Sequence, residues 1–230
     1  MIPDDLPNIN HQIKQCRFCR LHETRKHAVF GEGKVSSKWM IIAQAPGRIE
    51  DEKDHLLIGP SGKVFDELMD RVNLKRDDIY LTNLIKCFLP KCRKPKSDEL
   101  NTCYDLYLKK EIDLIKPQII VTLGYHVSKF IFRQYDLKVP GRLGFRTAFG
   151  KLFVAKNKKI VPVRHPATVV HQSKQFSKLL SDYKILETLQ NPCALIHSCS
   201  KFNDYKKGML PVNWLEQYCY GNWKVCKFYT

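Results

Sequence analysis

No stretch of this 230-residue chain approaches the ~20 consecutive apolar residues that cross a bilayer. No apolar signal segment opens it either, so secretion and membrane insertion are not expected, and a cytoplasmic setting is. Internal repeats and low-complexity tracts are absent, which argues against a solenoid and against disorder driven by composition. Acidic residues are scarce: 23 Asp and Glu stand against 39 Lys and Arg, a formal net charge of +16. A surface of that sign calls for a polyanionic partner, and nucleic acid leads over a membrane surface. What is present is ordinary in amount. A hydrophobic fraction of 43% and this length suit one α/β domain with a real core.

Short apolar runs alternate with amphipathic segments. Residues 39–44 (WMIIAQ), 78–86 (DIYLTNLIK), 117–123 (PQIIVTL) and 159–163 (KIVPV) read as four strands. Helices are expected over residues 63–72, 98–115, 125–133 and 176–189, with Ser97 capping the second and Glu99 and Glu111 among its polar positions. Residues 134–150 read as a loop or hairpin. The pattern predicts a three-layer α/β/α sandwich around a central four-stranded parallel sheet. Its ligand site should lie at the carboxyl ends of the strands, where Gln44, Asn83 and His165 fall. Residues 1–190 are taken as one domain, and residues 191–230 as a Cys- and aromatic-rich extension.

Nine cysteines in a chain without secretory features point to metal or free thiols rather than disulfides. Cys16-x-x-Cys19 is a tight pair, and Cys87 and Cys103 are distant singles bordering other motifs. By geometry alone this set suits Zn²⁺ and an iron–sulfur cluster equally. In the extension, Cys193, Cys199, Cys219 and Cys226 have looser spacings, compatible with a second metal or with a packed aromatic tail. Lys206, Lys207, Lys224 and Lys227 offer that tail a DNA contact, and Cys92 reads as a free thiol.

Several segments occur in a telling order: CRFC at 16–19, QAPGRIED at 44–51, IGPSGK at 58–63, YLTNLIKC at 80–87, then Cys103, VTLG at 121–124 and RHPATVV at 164–170. In that order they resemble the family 4 uracil-DNA glycosylases, the iron–sulfur members of the uracil-DNA glycosylase superfamily. The resemblance covers residues 14–185. It implies a monofunctional repair enzyme that flips uracil out of DNA and hydrolyses its N-glycosidic bond, leaving an abasic site. Cys16, Cys19, Cys87 and Cys103 would hold a structural 4Fe–4S cluster. His165 would donate to uracil O2, helped by backbone N–H groups of the Gln44–Ala45 turn, with Pro46 and Gly47 completing that turn. Asn83 would accept from uracil N3–H and donate to O4. Ser61, Gly62, Lys63 and Pro166 would bind flanking phosphates, and the loop Ala167–His171, through Ala167, Thr168 and His171, would fill the hole left in the duplex. The partner so implied is uracil-containing DNA, bound by a monomer working on the nucleoid.

Three positions depart from the family. Gln44 stands where Glu is usual, Leu57 where a Phe stacks on uracil, and His171 where Arg is frequent. A neutral Gln44 is a poor base, and Leu recovers only part of the ~1–3 kcal/mol that stacking on an aromatic supplies. A slower enzyme is therefore expected, or one with another preferred base such as hypoxanthine or mismatched thymine. A non-catalytic uracil- or DNA-binding homologue is the alternative from outside enzymology. Glu50 and Asp51 are expected to be solvated or to cap a helix.

Overall fold

A computed structural model describes residues 5–138, 144–156, 158–170, 173–190 and 199–206, together with Trp214, Cys219 and Cys226. Helix α1 (Leu6–Gln15) starts at Asp5, whose carboxylate accepts from the Asn8 N–H at 2.9 Å. The strands are β1 (Glu32–Gly33), β2 (Trp39–Ala43), β3 (Ile79–Asn83), β4 (Ile119–Leu123), β5 (Phe153–Ala155) and β6 (Lys158–Val163). They form one sheet in the order β1-β3-β2-β4-β6-β5. The sheet therefore has six strands where four were expected. β2, β3, β4 and β6 run parallel, while β1 and β5 pair antiparallel along the edges. The two additional strands hold only two and three residues, too few for an alternating pattern to register.

Parallel strands buried on both faces need apolar residues at every position, and β2, β3 and β4 are buried throughout. Alternate residues serve opposite layers. Trp39, Ile41, Leu81, Val121 and Val161 pack with Phe65 and Leu68 of α3 (Pro60–Arg71) and Tyr183 and Leu186 of α7 (Phe176–Gln190). Met40, Ile42, Tyr80, Ile120 and Ile160 pack on the other face, against Leu108, Ile112, Val127 and Ile131. Between β2 and α3 lies the short helix α2 (Arg48–Lys53), and α6 (Tyr125–Gln134) follows β4. Helix α8 (Ser200–Lys206) is the last described element. Among the described residues, no helix is long and apolar enough to cross a membrane.

The expected helix over 98–115 consists of α4 (Ser97–Cys103), a π-helical turn at Tyr104–Leu108 and α5 (Lys109–Ile115). Lys96 occupies the N-cap position and Ser97 is the first helical residue, so Ser97 is not the cap. The wider turn directs Tyr104 to the sheet-facing core and Tyr107 to a third cluster with Ile9, Ile13, Cys87 and Cys103.

Glu99 and Glu111, expected among the polar positions of this helix, are both buried. Arg93 Nη1 donates to Glu99 at 2.8 Å. Lys86 Nζ, also buried, donates at 2.6 Å to both Glu111 Oε2 and Thr82 Oγ1. Apolar periodicity cannot report an ion pair that folds into the core. Removing one member strands the other charge away from water, at a cost of about 3–5 kcal/mol. Lys86→Met should therefore lower the melting temperature substantially, and adding Glu111→Leu should restore much of the loss. Thermal denaturation of both variants checks this; a single variant as stable as the parent would disprove it.

Candidate active site and thiol cavity

Four parallel strands deliver their carboxyl ends to one side of the sheet. β2 runs into the turn Gln44–Gly47, β3 ends on Asn83, β4 on Gly124 and β6 on Arg164-His165. Gly124 has φ +90, and a Cβ there would lie 3.2 Å from that of His165, so glycine admits the histidine loop. A crevice of about 760 Å³ opens here, lined by Gln44, Ala45, Pro46, Gly47, Phe88, His165 and Ala167, with Lys26, Arg48, Lys91 and Arg93 at its margins. On the far side of His165 lies a smaller cavity of about 580 Å³ walled by Tyr125, Phe145, Phe149 and Arg164.

His165 has a defined tautomer. Its Nδ1 accepts from the Ala167 N–H at 3.1 Å, so the proton sits on Nε2. The residue surface is partly accessible, but the ring lies deep enough for burial to push its pKa down to about 4 against the opposing charge of Glu50. The imidazole is thus neutral at physiological pH and carries one free N–H. Two groups from α7 hold its loop. Asp182 accepts from Arg164 Nη1 at 2.6 and 2.7 Å and from the Arg164 N–H at 3.2 Å, and the Tyr183 hydroxyl donates to the Arg164 carbonyl at 3.0 Å. Burial pushes the Asp182 carboxyl up, and the Arg164 contacts oppose it. Neither residue was singled out in the sequence, where they are two positions on an apolar helical stripe.

Asn83 is buried at 3% exposure, and its side-chain amide makes no hydrogen bond among the described residues. Buried amides are nearly always paired, so an open one at a strand end has capacity for a ligand. Leu57 is buried in the core at φ +47. Gln44 is on the wall and half-buried.

Ser61, Gly62 and Lys63 form the first turn of α3, with Ser61 half-buried and Lys63 exposed. Any Cβ on Gly62 would collide with the Leu57 carbonyl. Helix α3 packs on the 3₁₀ turn Pro166–Val169, which brings this segment beside buried Pro166 and exposed Ala167 and Thr168. His171 lies outside the described residues.

Glu50 and Asp51 are buried, which corrects the expectation of solvated acids, while Glu50 does cap the start of α3. Glu50 Oε1 accepts from the N–H groups of Ile58 (3.2 Å) and Gly59 (2.9 Å). Asp51 accepts from those of Lys26 (3.0 Å) and His27 (3.1 Å). The first binds the Gln44 turn to the start of α3, and the second binds it to the N-terminal arm. Their one sequence signal was adjacency to the glycine turn.

Cys16, Cys19, Cys87 and Cys103 line one small cavity with Arg25, Lys86 and Tyr107. Arg25 Nη1 donates to Cys87 Sγ at 2.9 Å and Nη2 to the Cys16 carbonyl at 2.7 Å, while the Lys86 N–H donates to Cys103 Sγ at 3.3 Å. Burial pushes Cys87 up to about 11 and Cys103 up to about 12, so thiolates here need a bound cation. A shared cavity with N–H donors aimed at sulfur fits a thiolate-bound centre. Among the described residues, no group of three or more His, Cys, Asp or Glu is arranged around a single ion. In the extension Cys219 is buried in the core cluster and Cys199 and Cys226 are half-buried, while Cys193 and the Cys92 side chain lie outside the described residues.

The family model of the uracil DNA glycosylase superfamily matches residues 30–186. The type-4 uracil-DNA glycosylase of Archaeoglobus fulgidus is 33% identical over 187 residues, which cover 79% of this chain and 91% of that protein. The type-4 uracil-DNA glycosylase of Saccharolobus solfataricus is 34% identical over 191 residues, 82% of this chain and 88% of the other. That of Thermotoga maritima is 28% identical over 159 residues, 69% of this chain and 80% of its own. The match runs from β1 through every strand of the sheet and into α7, and the chain belongs to the type-4 uracil-DNA glycosylases of the uracil DNA glycosylase superfamily.

Proposed function

We propose that the protein excises uracil from DNA, hydrolysing the N-glycosidic bond and leaving an abasic site for later repair steps. The observation that carries this reading is the neutral His165 imidazole with its single N–H on Nε2, held beside the Gln44 turn. As the glycosidic bond stretches, negative charge gathers on the departing uracil and positive charge on the sugar. A fixed neutral donor at O2 stabilises that anion without itself giving up a proton. The buried amide of Asn83, unpaired among the described residues, supplies an acceptor for N3–H and a donor for O4, the reverse of what cytosine requires. Gln44 holds the attacking water by hydrogen bonding, and the cationic sugar tolerates a nucleophile that is only weakly activated. Ser61, Gly62, Lys63 and Pro166 take the phosphates beside the extruded nucleotide, while Ala167, Thr168 and His171 occupy the gap it leaves.

Cys16, Cys19, Cys87 and Cys103 are the residues that would hold a 4Fe–4S cluster. Their common cavity, the Arg25 and Lys86 N–H donors on sulfur and the family of the relatives support this assignment. The cluster would supply a covalent staple between the N-terminal arm and the segment after β3, with no part in bond cleavage.

Single-turnover excision on strands bearing uracil, hypoxanthine or thymine opposite guanine tests the activity. Cleavage at uracil is expected, reduced ~10²-fold or more by His165→Ala. Asn83→Asp should move selectivity toward cytosine. No cleavage at uracil would leave a DNA binder, and an unchanged rate in the histidine variant would remove its assigned role. Asp182→Asn keeps the size of the side chain but loosens its grip on Arg164. It should lower the excision rate ~10- to 100-fold with DNA binding intact, because small misplacements of a reacting group are costly. For the cysteine centre, a brown preparation with absorbance near 400 nm and about four iron atoms per chain is expected. Cys103→Ser should lose both, and zinc in place of iron would refute the cluster.

A further inference from the structure

The crevice is far larger than one pyrimidine ring, and its wall does not include Asn83, the group that reads uracil in the proposal above. With uracil held at His165, a crevice of this size also has room for the sugar, a phosphate and the adjoining nucleotide. Two features of the segment after Cys87 suit that cargo.

The first is Phe88. It stands between two buried anchors, Cys87 and Leu89, both packed in the cluster of residues around the thiol cavity. Side chains alternate along extended backbone, so burying both neighbours turns Phe88 outward. Its half-exposed ring forms part of the crevice wall together with Gln44, Ala45 and His165. Among the described residues it has no aromatic or cation–π partner. Leu57, at the position where the family stacks an aromatic on the base, is sunk in the core, which leaves Phe88 as the aromatic of this wall.

The second is Lys91. Lys26 and Arg48 are engaged with Glu52, and Arg93 with Glu99. Lys91 is exposed and makes no ion pair among the described residues. Its backbone is held at φ 55 and ψ 28, a left-handed conformation that a lysine adopts at a cost. An aromatic face beside an uncommitted cation is the arrangement that binds unpaired nucleotides.

Resting on the uracil-DNA glycosylase reading of this crevice, we propose that Phe88 stacks on the base adjoining the extruded uracil and that Lys91 neutralises its phosphate. The iron–sulfur region then acts on the substrate through the four residues that follow Cys87, Phe88 to Lys91.

The test measures binding of the holoprotein to single strands whose uracil carries an uncleavable 2′-fluorodeoxyribose, by fluorescence anisotropy at fixed salt. Three strands are compared: one with adenine on both sides, one with the 5′ neighbour replaced by a tetrahydrofuran abasic unit, and one with the 3′ neighbour so replaced. Phe88→Leu should weaken the first strand about 5- to 100-fold, the range that stacking on an aromatic supplies. One abasic neighbour should weaken the parent protein by a similar factor and cost Phe88→Leu nothing further, as a coupled pair requires. Phe88→Tyr should bind like the parent. Lys91→Gln should reduce the dependence of log affinity on log salt by ~0.7, one phosphate contact on a single strand.

Unchanged binding by Phe88→Leu, or abasic penalties equally large in that variant and the parent, would overturn the proposal. So would a fall in excision rate with binding unaffected, since the ring would then face the uracil itself. Melting temperature and absorbance near 400 nm of each variant show whether fold and cluster survive. Excision of ordinary uracil by the parent protein, run in parallel, reports separately on the underlying activity.

Discussion

Lys86 and Glu111 make the ion pair on which the arrangement of the molecule turns. Lys86 lies three residues beyond Asn83 and directly before Cys87, and Glu111 sits on α5, continuous through the π turn with Cys103. Their contact fixes the end of β3 against the long helix. The backbone of the same lysine extends the hold, since its N–H donates to Cys103 Sγ and its carbonyl accepts from the Val29 N–H at 2.8 Å. A charge buried this fully is tolerated only when paired in good geometry, so the pairing tolerates little slack. The Asn83 end of β3, the thiol cavity and the N-terminal arm share that one reference point.

Around it, carboxylates do much of the fastening. Glu50 holds the turn to α3, Asp51 holds it to the arm, and Asp182 holds the histidine loop to α7. In a chain so poor in acids, these three are spent inside rather than on the surface. The consequence is a positive exterior over a site whose geometry is set by buried negative charge. Such a division suits a protein that must approach a polyanion quickly yet keep a neutral imidazole at His165.

Much of this was legible from the residues alone. The four long strands announce themselves as apolar runs, and parallel order puts Gln44, Asn83 and His165 at one end whatever their distance in sequence. The thiols of Cys16, Cys19, Cys87 and Cys103 were legible because their spacing is unusual. Other features were hidden for physical reasons. β1 and β5 are too short to show a period. Glu99 and Glu111 look like solvent positions because a pattern of apolar residues has no symbol for a buried pair. Asp182 and Tyr183 act by holding a loop that is adjacent only after folding. Phe88 looks like one more core aromatic until Cys87 and Leu89 are both seen to point inward.

The two edge strands settle a problem of a different kind. A parallel sheet that stopped at β3 and β6 would present two rows of unpaired N–H and C=O groups, ready to recruit another chain. Here each margin is closed by an antiparallel strand of two or three residues, Glu32–Gly33 and Phe153–Ala155, too brief to template further pairing. Among the described residues, neither margin of the sheet therefore offers a long open edge to another chain.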